Sequence, residues 1–192
     1  MAAGKSLTVT SLLDWSAGLI ARDGRLIIAS GAVANLTTGS GKFIDGVFEN
    51  RGATHYTGTG LFFGRDAGNL PARIENAAGG TWIVEGEGDF TQFNGSANYR
   101  IDNAGTFIKR GAGTVTGVNN PVAFINGGTI RAESGLLQFG AGYTHDQATS
   151  RLLLSGGTVQ RDSGFTLAAG TVEGGGTLIG AVTNTGALLS SG

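Results

Sequence analysis

Short apolar segments alternate with glycine-rich turns along the whole chain. Segments 80–84, 105–109 and 128–132 each begin with glycine and continue with threonine and β-branched or aromatic residues, a composition typical of strands. Further strand candidates are 24–29, 60–63, 135–139, 150–154 and 164–167. No stretch carries apolar residues at helical spacing for long enough to indicate a helix. The pattern therefore predicts an all-β chain.

A phrase of the form Ile/Phe-x-Asn-x-Gly-Thr recurs among these segments. Its asparagines are Asn50, Asn76, Asn103, Asn126 and Asn184, and the first four follow at steps of 26 (50 to 76), 27 (76 to 103) and 23 (103 to 126). Self-similarity at a period of about 20 to 50 residues indicates a solenoid, a propeller or an array. A propeller blade needs about 40 residues, which disfavours that fold. An antiparallel sandwich also accepts short, regularly spaced strands, but the recurring register favours a solenoid.

We therefore predict a single domain over residues 1–192, built as a parallel β-solenoid with about 23–29 residues per coil. One coil of this length holds three strands of four or five residues and three tight corners. A single coil cannot bury its apolar side chains. Stacking pairs each strand with its counterpart in the next coil and closes a common core.

Counting from the glycine of each repeat predicts which side chains share a column, because strand side chains alternate between two faces. The second position after the glycine is predicted to point inward: Thr54, Trp82, Phe107, Ile130, Val159, Val172 and Leu188. The first position is predicted to point outward: Ala53, Thr81, Thr106, Thr129, Thr158, Thr171 and Ala187. The repeated asparagines are predicted to lie at corners and to bond to one another along the coil axis, as asparagine ladders do.

Composition narrows the classes of function. The chain has 36 glycines, 2 prolines and no cysteine, so disulfides and thiolate metal sites are excluded. Its 13 basic and 14 acidic side chains give a net charge of −1, which disfavours a nucleic-acid partner. No apolar run approaches the ~18 residues of a membrane span or resembles a signal peptide. The last residues stop inside a repeat, so we expect the chain to be part of a longer repetitive protein.

The most acidic run contains Glu85, Glu87 and Asp89, whose alternate spacing puts three carboxylates on one face of an extended segment. Such clusters can hydrolyse polysaccharide or bind calcium. The corresponding positions of the next coils are Arg110 and Glu133, so a self-neutralising charge ladder is the favoured interpretation. We treat Glu85, Glu87, Asp89 and Arg110 as a candidate binding surface. The two histidines, His55 and His145, lack metal-binding spacing, and no catalytic residue, metal or cofactor is predicted.

Two other surfaces are candidates. The threonine column could form an ice-binding face, although the next outward positions include bulky and charged residues that would spoil its flatness. Trp15, Tyr56, Tyr99 and Tyr143 are aromatic residues that could stack on sugar rings if exposed.

Segments 7–18, 26–32, 48–52 and 176–186 resemble repeats of bacterial surface and secreted β-helix proteins, such as large adhesins and autotransporter passenger domains. The resemblance implies a right-handed parallel β-helix displayed outside the cell. We therefore expect a non-catalytic structural or adhesive module, a rigid stalk that presents a repetitive surface. An enzyme acting on extracellular polysaccharide and an ice-binding protein are the alternatives. The expected partners are a host surface, a glycan or a second copy stacked end to end, without membrane insertion of this segment.

Overall fold

The structure, a computed structural model, describes residues 1–39, 41–65, 71–95 and 98–191. These residues form 24 strands and no helix. The strands stack in parallel as a β-solenoid of about 8 turns with roughly 22 residues per coil. The predicted all-β parallel solenoid is thus confirmed.

The strands follow one another in a regular order, three to a coil over the first six coils. In the first three coils they are β1 (Ser6–Val9), β2 (Leu12–Trp15), β3 (Gly18–Ile20), β4 (Arg25–Ile28), β5 (Val33–Leu36), β6 (Lys42–Ile44), β7 (Val47–Asn50), β8 (Ala53–Tyr56) and β9 (Gly60–Phe63). In the next three they are β10 (Arg73–Asn76), β11 (Thr81–Val84), β12 (Asp89–Gln92), β13 (Arg100–Asn103), β14 (Thr106–Lys109), β15 (Val115–Val118), β16 (Ala123–Asn126), β17 (Thr129–Ala132) and β18 (Leu136–Phe139). The remaining strands are β19 (Tyr143–Thr144), β20 (Arg151–Gln160), β21 (Phe165–Leu167), β22 (Thr171–Ile179), β23 (Val182–Asn184) and β24 (Leu188–Ser191).

Corresponding strands of successive coils form three faces. The first face is the sheet β1-β4-β7-β10-β13-β16-β19, which continues to β21 and β23 through a bridge between His145 and Leu167. The second face runs from β2 to β17 by way of β5, β8, β11 and β14, and the third face runs from β3 to β18 by way of β6, β9, β12 and β15. The long strands β20 and β22 pass through both the second and the third face and join them.

Coil length varies along the axis. Arg73 pairs with Arg100, whereas Phe165 pairs with Val182, so the central coil is much longer than the late one. The longer coils are the central ones from which the repeat phrase was read. The average of roughly 22 residues therefore lies below the range expected from that phrase, because shorter turns connect the strands of the outer coils.

The core is a continuous column of side chains from all three faces. The rings of Trp82, Phe90, Phe107, Phe124 and Phe139 contact one another in succession, with centroid distances from 5.0 to 6.0 Å. All five are at most 3% exposed. Aromatic contacts at these distances stabilise by about 0.5–1.5 kcal/mol beyond their apolar burial. Packing therefore couples each coil to the next across the faces as well as along them.

The second face shows where the predicted columns are right and where they are wrong. Trp82, Phe107 and Ile130 are in register and fully buried. The next member is Leu152, because Val159 and Thr158 lie on the third face, where they pair with Leu137 and Leu136. The glycines before Thr158 lie inside the long strand β20 and do not mark the corner that begins the second face.

The last coil contains a second error of register. Val172 pairs with Leu189 and Thr171 pairs with Leu188. Leu189 therefore occupies the inward position predicted for Leu188, and Leu188 occupies the outward position predicted for Ala187. The reason is that the turn after Asn184 is one residue longer than the repeat phrase assumes.

The glycine of the repeat phrase permits close contact between coils. A Cβ on Gly105 would lie 2.3 Å from the carbonyl oxygen of Gly80, and one on Gly128 would lie 2.2 Å from that of Gly105. No side chain fits at these distances, so the same corner of successive coils requires glycine. The glycine of the repeat is thus required for the close stacking of coils as well as for the turn.

Candidate functional surfaces

The repeated asparagines form a buried ladder on the inner side of the first face. The Nδ2 atom of Asn50 donates to Oδ1 of Asn76 at 2.8 Å, Asn76 donates to Asn103 at 2.7 Å, and Asn103 donates to Asn126 at 2.8 Å. Each Nδ2 of the first three also approaches a backbone carbonyl of the following coil at 3.0 to 3.2 Å, on Thr81, Thr106 and Thr129. These bonds satisfy the inner amides of the ladder, whereas Oδ1 of Asn50, at its first position, is buried without a hydrogen-bond partner among the described residues. The ladder is part of the core.

Asn184 occupies the same column without joining the ladder. His145 and Leu167 occupy the two coils between Asn126 and Asn184. Asn184 is exposed, and its Oδ1 accepts hydrogen bonds from the backbone N–H groups of Gly186 and Ala187. It therefore stabilises its own turn, and the expectation that all five asparagines bond along the axis is wrong at this position.

His145 interrupts the column of amides with an imidazole. Its side chain is 1% exposed, and its Nδ1 lies 3.0 Å from the hydroxyl of Tyr143. Burial lowers the pKa of His145, although the backbone of Thr171 and the carboxylate of Asp146 favour the charged form. The imidazole is therefore held neutral inside the core.

The acidic run does not assemble a site. Glu85 forms an ion pair with Arg110, with Nη2 and Oε1 2.7 Å apart, and its other oxygen lies 3.8 Å from Nδ1 of His55. Glu133 pairs with Arg131 of its own coil at 3.1 Å. The alternation of charges predicted from the sequence thus includes one ion pair between neighbouring coils, that of Glu85 with Arg110.

The other two acids of the run point elsewhere. Glu87 is exposed on the turn, whereas Asp89 begins a strand of the third face. Asp89 accepts hydrogen bonds from the backbone N–H of Gly117 at 2.6 Å and from the amide of Asn119 at 3.0 Å. Within the described part of the chain, no group of three His, Cys, Asp or Glu residues is arranged to hold a metal ion. Asp89 thus ties two coils together.

A buried lysine lies beside this run, and the search for sites in the sequence missed it. Lys109 is fully buried, and its Nζ donates to the carbonyl of Gly86 at 2.9 Å and to Oγ1 of Thr114 at 2.7 Å. Burial lowers its pKa to about 8. The alternation of strand β14 places Lys109 on the same side as Phe107, which was the available signal.

The outer side of the first face carries a network of charges. Arg25 contacts Glu49 and Glu75 on the next two coils, each at 2.6 Å, while Arg51 and Arg73 pair with the same two carboxylates. Burial by itself raises the pKa of Glu49, but the hydrogen bonds and charges of Arg51 and Arg25 outweigh it and hold that pKa below its usual value. The network connects three coils, and its three arginines exceed its two glutamates by one positive charge.

The threonine column is continuous over three coils, is interrupted in the next coil and returns at Thr171. Thr81, Thr106 and Thr129 are in register, and the next position is Arg151. Arg151 forms an ion pair with Glu173 beyond it. A regular hydroxyl array is therefore interrupted by charged side chains.

The aromatic residues named as candidates for sugar stacking lie mostly in the core. Tyr56, Tyr99 and Tyr143 are at most 5% exposed, and Trp15 is half-buried against Phe48. Tyr56 and Tyr143 follow the inward alternation of their strands, so their rings close the column of core side chains.

Three phenylalanines form an outward-facing cluster instead, here named the aromatic patch: Phe43, Phe62 and Phe93. They come from three successive coils on the outer side of the third face. Phe43 and Phe62 pair in register with ring centroids 5.5 Å apart. Phe93 packs edge-on against both, with centroid distances of 5.1 and 5.9 Å. The guanidinium carbon of Arg65 lies 5.1 Å from the centroid of Phe43, within range of a cation–π contact.

Two glycines shape the aromatic patch. A Cβ on Gly41 would lie 2.8 Å from the ring of Phe43, and a Cβ on Gly60 would lie 2.8 Å from the ring of Phe62. Both rings thus lean back over the strand into space that only glycine leaves open. The signal in the sequence was the repeated Gly-x-Phe spacing, whose phenylalanine faces outward because its neighbours Ile44 and Leu61 are buried.

The third face becomes polar beyond the aromatic patch. Thr91 pairs with Phe62, and the following coils present Asn119 and Gln138. A shallow cavity of about 310 Å³ opens there, lined by Asn119, Asn120, Gln138, Asp162 and Ser163 among others. One face therefore carries aromatic rings and amide groups in sequence along the coil axis.

The fold and its outer faces define a parallel β-solenoid repeat protein. Comparison of the chain with protein-family models, with curated proteins and with solved structures gave no match. None of the described segments forms a helix long and apolar enough to cross a membrane.

Proposed function

We propose that the chain is a non-catalytic structural and adhesive module of a bacterial cell-surface or secreted protein. In this role the solenoid acts as a rigid spacer and presents its outer faces to a partner. The observation that carries the proposal is the uninterrupted stacking of coils, with in-register strands on three faces around a core filled with side chains. Continuous hydrogen bonding between coils resists bending and extension along the axis.

The surface chemistry supports binding over catalysis. Glu85 is paired with Arg110, and Asp89 is bonded to Gly117 and Asn119 of the next coil. Neither carboxylate faces the other across a cleft, the arrangement that glycoside hydrolysis requires. The third face instead carries the aromatic patch followed by polar side chains, a combination that suits recognition of a surface.

The proposal is tested by adhesion under flow. Beads coated with the purified chain are passed over layers of bacterial or epithelial cells, and beads coated with albumin serve as the control. We expect the coated beads to be retained and soluble polysaccharides to stay intact when incubated with the same chain. Absence of retention on every cell layer contradicts the adhesive role. Release of reducing ends from a polysaccharide supports the enzymatic alternative.

A second copy of this chain is a further proposed partner, stacked end to end. The first and last coils expose apolar side chains, with Leu12 57% and Leu188 66% exposed, beside strands that have a free edge. Unpaired strand edges are templates for pairing with another chain. We expect sedimentation velocity to show association that increases with concentration and is weakened by Leu12→Lys and Leu188→Lys. A sedimentation coefficient of a folded monomer at every concentration contradicts this expectation.

A further inference from the structure

We infer that the aromatic patch, together with the polar stretch that follows it on the third face, is a binding site for an extended pyranose glycan. This inference rests on the proposed adhesive function and names the ligand class of one surface. Four observations carry it: the rings, the glycines beneath them, the small size of the patch and the amides next to it.

The aromatic side chains of the patch have the chemistry needed to bind sugar rings. Pyranoses present C–H groups on one side, and these pack against the negative face of an aromatic ring. Phe43 and Phe62 stack on neighbouring coils with an angle of 29° between their planes. Phe93 stands at 81° to Phe43 and is the most exposed of the three rings. The patch thus offers aromatic surface in two orientations.

The glycines indicate that the ring positions are built into the strands. Gly41 and Gly60 lie two residues before Phe43 and Phe62, and each leaves room for the tip of the following ring. A larger residue at either glycine would displace the ring from the sheet. The same arrangement on two consecutive coils keeps the two rings in one orientation.

The size of the patch fits a saccharide better than a protein. A stable protein interface buries about 800 Å² on each partner. Here Phe93, at 52% exposed, is the one ring of the three that is more than half exposed, while Phe43 and Phe62 are partly covered. Three side chains are few beside the about 20–30 residues on each side of a stable protein interface, and they suit a ligand the size of a short sugar chain.

The neighbouring polar groups supply hydrogen bonds for hydroxyl groups. Amides both donate and accept, and Asn119, Asn120 and Gln138 line the shallow cavity further along the same face. Asn119 uses one N–H group on Asp89, and the oxygen of Asn120 accepts from the backbone of Ala141. Arg65 adds a cation over the ring of Phe43. Rings and amides follow one another along the coil axis, so the site fits a linear chain better than a single sugar.

Binding is tested with defined oligosaccharides and the full chain. Isothermal titration calorimetry is run with cellohexaose, chitohexaose and hexagalacturonate, and with the corresponding disaccharides. We expect at least one hexasaccharide to bind and to bind more tightly than its disaccharide. Preference for hexagalacturonate would assign a role to Arg65, whereas preference for a neutral hexamer would assign recognition to the rings and amides. Absence of binding by all three hexamers overturns the inference.

Variants locate the site. Phe93→Ala should weaken binding about tenfold, because one exposed aromatic contact is lost. Gly60→Ala should weaken it in the same direction by displacing the ring of Phe62, although no contacting group is removed. Val115→Ala is the matched control, since Val115 is an exposed apolar residue of the same face, 43% exposed, outside the aromatic patch. Equal affinities of wild type, Phe93→Ala and Gly60→Ala overturn the inference.

The adhesion assay separates this inference from the proposed function. If beads coated with Phe93→Ala are retained as well as wild-type beads, adhesion stands and the glycan site is not its cause. If wild-type beads are not retained while the oligosaccharide binding depends on Phe93, the site stands and the adhesive role fails. Circular dichroism of each variant verifies that the solenoid is folded.

Discussion

The central coils and the later coils differ in how they treat the same inner column of the first face. From Asn50 to Asn126 the column holds four amides that bond to one another, and aromatic rings pack edge to face beside them. After Asn126 the column holds His145 and Leu167, and the second and third faces merge into the single strands β20 and β22. One backbone architecture thus accommodates two kinds of interior.

The difference between the two interiors shows under which condition a buried polar side chain is stable inside a solenoid. A buried amide without partners costs about 1–3 kcal/mol. In the ladder each inner amide receives a hydrogen bond from the preceding coil and gives one to the following coil, so that cost is removed. An isolated asparagine in this column has neither neighbour. Asn184 is consistent with this rule, because it lies at the surface and bonds to its own turn.

The largest expected effect comes from a charge in the aromatic column. Phe107→Asp should destabilise the chain by about 4 kcal/mol or more, because Phe107 is fully buried between Phe90 and Phe124. Leu189 belongs to the same column in the last coil but is 51% exposed, so Leu189→Asp should cost less than about 1 kcal/mol. Urea unfolding measures both values.

The outward neighbour provides the control for this pair. Thr106→Asp changes the adjacent residue, whose side chain points outward, and should be mild. Equal losses of stability for Phe107→Asp and Thr106→Asp would contradict the register of the second face.

The second effect compares two asparagines of one column. Asn103→Ala should destabilise by about 3 kcal/mol, because it removes two ladder bonds and leaves Oδ1 of Asn126 buried without its donor. Asn184→Ala should cost less than about 1 kcal/mol, since it removes exposed bonds to one turn. Chemical denaturation of both variants measures the difference, and similar losses would show that the ladder adds nothing beyond local turn bonding.

The smallest expected effect is a change in pH dependence. Because burial lowers the pKa of His145, the folded state binds its proton less readily than the unfolded state. His145 therefore adds no penalty above its unfolded pKa of about 6.5 and opposes folding as the pH falls below that value. His145→Asn should remove this part of the acid destabilisation and place an amide next to Asn126.

Unfolding free energies of wild type and His145→Asn between pH 8 and pH 5 provide the measurement. The difference between the two proteins at pH 8 reports the exchange of the Tyr143 contact for an amide contact, and its change toward pH 5 reports the imidazole alone. Parallel pH profiles would contradict the buried, neutral state of His145.

The fold could be predicted from the sequence because the residues that determine it recur in each of the central coils. Asn76, Gly80 and Trp82 recur in equivalent positions, and the structure explains each by a contact with the neighbouring coil. The register failed where a glycine had another role. Gly156 and Gly157 lie within a long strand at the junction of two faces, so counting from them placed Thr158 and Val159 on the wrong face.

The candidate surfaces were harder to predict, because they depend on contacts between coils. The aromatic patch joins Phe43, Phe62 and Phe93, which are far apart in the sequence. Only the stacking of their coils, seen in the pairing of Phe43 with Phe62, brings them together. Likewise, Glu49 is nearly buried because Arg25 and Arg51 pair with it from either side, a fact that the composition of one strand does not reveal.

The amides of the ladder all point in one direction, with each Nδ2 directed toward the following coil. A ladder with this polarity can grow by duplication. A copied coil inserted between Asn50 and Asn126 meets a donor on one side and an acceptor on the other, so its own asparagine is satisfied at once. The central coils thus form a segment whose length can change by whole units during evolution, whereas a coil copied next to His145 or Leu167 inherits no such match.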